Sequence, residues 1–106
     1  MASRNLHMRL RVPNTLIESI NWIIAVSSPL IHLTVAEDAA AASSMVFCTA
    51  AVAERLARGL RDRAIHLTYR RKPLPQLALQ CQDTADRFLA AVDRATRSSE
   101  TEEVLS

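Results

Sequence analysis

The residues best suited to chemistry in this chain are His7, His32, His66, Cys48, Cys81 and a scatter of carboxylates, and their spacing argues against catalysis. The three histidines stand far apart. There is no His-x-x-x-His pair and no Cys-x-x-Cys, so the donor spacing of a zinc site is missing. Cys48 and His66 are the one thiol and imidazole that we weigh as nucleophile and base; otherwise Cys48 is a structural thiol and His66 an edge histidine. Asp83, Asp86 and Asp93 fall mostly with Arg87 and Arg94 on one helical face, the pattern of a solvated surface. One glycine, Gly59, leaves no glycine-rich cradle for a phosphate. The chain is therefore expected to bind rather than catalyse, with no catalytic residue, no metal and no cofactor.

The basic residues carry the next signal. Twelve arginines stand beside a single lysine, Lys72, in a chain of formal charge +2. Arginine offers a planar fork for paired contacts and is enriched at interfaces, although a GC-rich coding sequence also produces such a bias. Arg55, Arg58, Arg61, Arg63, Arg70, Arg71 and Lys72 crowd residues 54–72, interrupted by Glu54 and Asp62. Such a ridge suits solvent, an acidic partner protein or phosphates. Only Tyr69 is aromatic nearby and no helix-turn-helix glycine turn is evident, so direct nucleic-acid binding is the lesser expectation.

These side chains must be positioned by a small core. The chain is 106 residues long, 49% hydrophobic and only 4% aromatic, with seventeen alanines, a composition that favours helix. Residues 6–12 alternate: Leu6, Met8, Leu10 and Val12 on one side, His7, Arg9 and Arg11 on the other, closed by Pro13. This strand needs a mate. The alternating segments Ile31–Thr34 and Ile65–Arg70 are candidates within the chain, and a second copy pairing through Leu6, Met8, Leu10 and Val12 is the alternative. The tetrapeptide Ile-His-Leu-Thr opens both segments, which fits an old duplication of an extended segment plus helix.

A first helix is expected from Asn14 or Thr15 to Val26, with Leu16, Ile20 and Ile23 inward and Trp22 off the stripe. Thr34-Val35-Ala36-Glu37 reads as a capping box that opens a long second helix, with Ala39, Ala42, Val46, Thr49, Ala53, Leu56 and Leu60 at helical spacing. Phe47 falls on its opposite face among Ala40, Ser43, Ser44 and Ala51, a knob ringed by small residues. A third helix follows Pro73-Leu74-Pro75 and runs to Thr96 or Arg97. Cys48 and Cys81 lie level across the helical hairpin if its turn centres near residue 65, and not if the second helix reaches Arg71. Both are expected to be reduced core thiols.

The expected architecture is a single mainly α domain over 1–106. Residues 1–13 form an extended arm, 14–97 a core of three helices with a long antiparallel helical hairpin, and 98–106 a flexible acidic tail. The second apolar face asks for a dimeric helical assembly or a bound protein. Its interface candidates are Trp22, Phe47, Ala51, Arg58 and Arg61. Glu18, Asn21, Pro29 and His32 break the greasy run 16–36, leaving neither a membrane span nor a clean secretory signal, so a cytoplasmic location is expected.

The segment Ile31-His32-Leu33-Thr34-Val35-Ala36-Glu37-Asp38-Ala39, followed by Ala42-Ser43 and a long apolar helix, resembles the small helical QslA-like anti-activators of pseudomonad quorum sensing. The resemblance spans roughly residues 30–95. This chain lacks the glycine that often precedes Glu-Asp in that family. It implies a helical dimer that binds a LuxR-type transcription factor, blocks that factor's dimerisation and keeps it off DNA. A small nucleic-acid-binding regulator and a secretion chaperone or adaptor are the alternatives.

Overall fold

The computed structural model describes residues 5–105, with side chains described for residues 5–98. Strand β1 (His7–Pro13) runs through a 3-10 turn (Asn14–Leu16) into helix α1 (Ile17–Val26). A hairpin of β2 (Thr34–Asp38) and β3 (Ser43–Thr49) follows, then helices α2 (Ala50–Tyr69) and α3 (Pro75–Leu105). The fold is α+β, 62% helical and 20% strand, with a three-stranded antiparallel sheet. This corrects the expected mainly α, all-helical architecture built on a long helical hairpin: the first half of the supposed second helix is two strands. Met1–Arg4 of the expected arm lie outside the described residues, and α3 continues to Leu105 through positions expected to form a tail.

The strand order is β1-β3-β2, so β3 is the central strand and the mate that β1 requires. Neither Ile31–Thr34 nor Ile65–Arg70 takes that place. The two Ile-His-Leu-Thr copies also fold differently, the first leading into β2 and the second lying within α2. Alternation decides which side chains meet the helices. Leu10 and Val12 of β1 and Ser44, Val46 and Cys48 of β3 are buried on the inner face. Leu10 lies opposite Val46, which in turn lies opposite Val35. At the end of this row Ser44 Oγ donates to Asn14 Oδ1, so the buried hydroxyl is paired.

The hairpin turn explains how an alanine-rich stretch escapes helix. Asp38 Oδ1 accepts from the Ala41 N–H (3.2 Å), and the Ala42 N–H donates to the Ala39 carbonyl (3.2 Å). Glu37-Asp38 before alanines looks like a helix start, and Asp38 does cap one turn. Ala42 then adopts φ 53°, the left-handed region, and the chain reverses. Its carbonyl accepts from the Asn14 N–H (3.2 Å), tying the turn to the end of β1.

Strand β3 passes into α2 without a loop. Thr49 stays extended at φ −83°, ψ 163°, and its Oγ1 accepts from the Val52 N–H (3.3 Å), the expected role of an N-cap. From there the helical spacing holds: Ala53, Leu56, Ala57, Leu60, Ala64 and Leu67 are buried. They pack on Ala78, Cys81, Ala85, Phe88 and Val92 of α3 and on Leu16, Ile20 and Ile23. Full burial of each large side chain contributes about 1.5–3 kcal/mol. Helix α1 crosses α2 at the only glycine, where a Cβ on Gly59 would meet Ile23 Cγ2 at 2.7 Å and Cγ1 at 2.9 Å. Beyond α1, Ser28-Pro29 is a cis peptide, and Arg55 Nη2 donates to the Pro29 carbonyl at 2.7 Å.

Two substitutions test this arrangement. Left-handed backbone costs an L-residue roughly 1–2 kcal/mol, and the freedom glycine gains in the unfolded chain offsets about 0.4–1 kcal/mol of that. Ala42→Gly should therefore raise unfolding stability by about 0.5–1 kcal/mol in urea titration, whereas a loss would contradict the turn. Gly59→Ala gains about 1 kcal/mol of helix propensity but forces an overpacking cost of roughly 1–3 kcal/mol against the two γ-carbons of the buried Ile23. It should destabilise the wild-type protein and become stabilising in an Ile23→Ala background; the same sign in both would refute the close crossing.

Candidate interaction surface

All three helices pack on one side of the sheet, which leaves the other side open among the described residues. The odd-numbered residues of β1 and β3 and the even-numbered ones of β2 form this outer face. Arg9, Phe47 and Thr34 make one cross-strand row, and Arg11, Met45 and Ala36 the next. Phe47 stands near the centre at 38% exposure, large for an aromatic with a whole sheet beneath it. Arg11 Nη1 donates to Ser43 Oγ (2.7 Å), which holds its guanidinium over the sheet.

At one end of this face a cleft of about 650 Å³ opens, lined among others by His7, His32, Thr34, Phe47 and Cys48. Two histidines line it beside Cys48, whose side chain is buried on the inner face, and Cys48 is a poor nucleophile. Burial pushes its thiol up to about 11, the opposite of what an activated cysteine needs. His66, the partner weighed from sequence, lies in the last turn of α2, in a separate basic pocket with Arg70, Arg71 and Lys72. Cys81 is also raised by burial, opposed by a hydrogen bond with Ser19 and by the charge of Arg63. Both cysteines are free, and Cys48 sits on a strand, so the expected helical-hairpin geometry for the pair does not apply. Among the described residues no group of three or more His, Cys, Asp or Glu is placed to hold a metal ion. No helix among them is long and apolar enough to cross a membrane.

The other expected interface residues are distributed over the molecule. Trp22 is 42% exposed and lines a cleft between α1 and α2 with Val26, Arg55, Arg58 and Gly59. The Arg63 guanidinium lies over its ring, 5.2 Å from the centroid, a cation–π contact. Arg58 approaches Glu54 at 4.0 Å on the same helix, whereas Arg61 reaches Asp86 of α3 at 3.0 Å and serves the helix pair. Ala51 is half-buried in the first turn of α2. Phe47 and Trp22 thus belong to separate clefts. Leu6 and Met8 are half-buried and Leu10 and Val12 buried, all four packed into the protein's own core.

Sequence reasoning missed the cleft that joins His7, His32 and Cys48. The alternation of β1 already placed His7 outward, but nothing in the sequence identified β3 as its neighbour. Comparison with family models, curated proteins and solved structures found no match to this chain.

The Cys48 assignment is directly measurable. Alkylation of the native protein in a Cys81→Ser background should follow a pH profile with a midpoint near 11. At neutral pH it should be about a hundredfold slower than an unperturbed thiol, because a two-unit rise cuts the thiolate fraction by that factor. The unfolded chain ionises first, near 9.0, so this stabilisation is complete below pH 9 and is lost as pH rises toward 11. An alkylation midpoint below 8 would identify an activated thiol instead.

Proposed function

We propose that this chain is a non-catalytic regulatory protein that acts by binding another protein through the open face of its sheet. One observation carries the reading: Phe47 is held in the middle of an uncovered face, flanked by Arg9 across one ladder and Thr34 across the other. A rigid aromatic with two torsions loses little entropy on contact, and neighbouring arginines supply paired hydrogen bonds, the combination that dominates measured interface energies. The cleft beside Phe47 gives a partner side chain somewhere to go. The high value of the Cys48 thiol favours a structural role for that cleft over thiol chemistry.

The anti-activator resemblance drew on helical patterning across residues 30–95, and residues 34–38 and 43–49 are strands. Protein contact is therefore retained as the function, while a LuxR-type factor as the partner keeps little support. A homodimer through the same face is the competing occupant.

The test compares immobilised wild-type protein with Phe47→Arg in capture from native lysate, alongside light scattering of each. Tyr69→Arg, at a position 82% exposed on α2, serves as the surface control. Phe47→Arg should lose the captured protein by about tenfold or more while Tyr69→Arg keeps it. If Phe47→Arg retains both capture and the wild-type mass, the outer face is not the binding surface; if wild type is a dimer that Phe47→Arg dissociates, the face belongs to a second copy.

A further inference from the structure

The edge of the sheet carries a second, more specific signal. Flanking the β1–β3 ladder, the Ala50 N–H donates to the Leu6 carbonyl (2.8 Å) and the Asn14 N–H to the Ala42 carbonyl (3.2 Å). Antiparallel hydrogen-bonded pairs recur every second residue, so the even positions of β1 bond to β3. The N–H and C=O groups of His7, Arg9 and Arg11 therefore point away from the sheet, along an edge that no strand among the described residues covers. Pro13 ends this donor row, since it has no N–H.

Beside this edge a groove of about 270 Å³ separates β1 from α3. Arg9 and Arg11 line one side, Arg87 and Arg94 the other, with Ala90 and Ala91 keeping the helix surface low between them. Among the described residues no acidic side chain lines it. Among the described residues none of these four arginines is in an ion pair; Arg11 bonds to Ser43 and Arg87 Nη2 donates to Thr84 Oγ1 (3.2 Å), both neutral. Charged edges guard against unwanted strand pairing, but that purpose needs no matching arginines on the facing helix.

We propose that this groove binds an extended acidic segment of a partner protein as a fourth strand beside β1. This rests on the protein-binding reading and names the partner's chemistry. The strand edge supplies regularly spaced backbone donors and acceptors, and the four guanidiniums call for carboxylates. A second copy is disfavoured here, because β1 against β1 sets Arg9 and Arg11 of one chain against the same residues of the other. Side chains of an added strand alternate, so carboxylates in one frame lie beside Arg9 and Arg11, while the other frame sets small apolar residues against Ala90 and Ala91 with carboxylates at its two ends for Arg87 and Arg94.

The probe is a short capped peptide with glutamate in one alternating frame and, in the other, central valines flanked by glutamates, fluorescently labelled and titrated against the full chain. It should bind, weaken as salt rises, and slow hydrogen exchange at the His7, Arg9 and Arg11 amides. The Arg87→Glu, Arg94→Glu double variant, both positions exposed on α3, should weaken binding about tenfold or more with unchanged helix content. A peptide N-methylated on alternate amides, in the frame that faces β1, should fail. No binding of the parent peptide, equal binding of the N-methylated one, or binding of single-stranded oligothymidylate in place of the peptide would each overturn the proposal. Phe47 lies one strand further in, so Phe47→Arg should keep peptide binding; loss of lysate capture in that variant and loss of peptide binding in the α3 variant report on the two readings separately.

Discussion

The burial of Val46 is the constraint on which the rest of the sheet depends. It sits fully buried in the central strand, with Leu10 opposite on one side and Val35 on the other. A slip of one residue in either ladder would exchange the two faces, driving Phe47 inward and Val46 into water. Removing Val46 and Leu10 from the core would forgo roughly 1.5–3 kcal/mol each, a large part of the margin by which a domain of this size is stable. Holding Val46 inward therefore holds Phe47, Arg9 and Arg11 outward. The surface is a consequence of the core.

The helices fix that platform in place. Because Thr49 ends β3 and caps α2 at once, the orientation of the strand is passed to the most extensive helix packing in the molecule without a flexible joint. Helix α2 is clamped between α1, which approaches closely at Gly59, and α3, whose Asp86 meets Arg61. The 3-10 turn joins β1 to α1 directly, so the sheet and the helices share two tight connections. A face supported in this way loses little freedom when it is bound, which favours recognition by a preformed surface.

Much of the helical half was legible in the sequence. Pro29, the Pro73–Pro75 pair and the stripes of Leu16, Ile20 and Ile23 or Cys81, Ala85 and Phe88 mark helices near their observed places, because apolar and polar faces differ there. The β2–β3 hairpin was not legible, for a physical reason. Ser44, Val46 and Cys48 alternate with Ser43, Met45 and Phe47, and both sets mix small with apolar residues, so a period of two leaves no contrast. The same residues extend the apolar spacing of α2 backward, and alanines at 39–42 complete the illusion of helix. No Asn-Gly or other glycine turn marks the reversal, which rests on Asp38 and on Ala42 in a conformation alanine seldom adopts. Phe47 stands out in the sequence as a large residue among small ones, and the face it marks is that of a strand, not of a helix.

Protein binding and the added-strand groove share one premise, that residues 43–49 form the middle strand with Phe47 facing out. Residues opposite one another without shared hydrogen bonds bring their Cα atoms to about 4.5 Å, close enough for strong contacts between α-protons. By the ladder parity these pairs are Arg9 with Phe47 and Arg11 with Met45. A nuclear Overhauser spectrum of the labelled protein should show both α-proton cross-peaks. Their absence, together with α-proton to amide contacts three residues apart through 43–49, would mean a helix there and would contradict the open face.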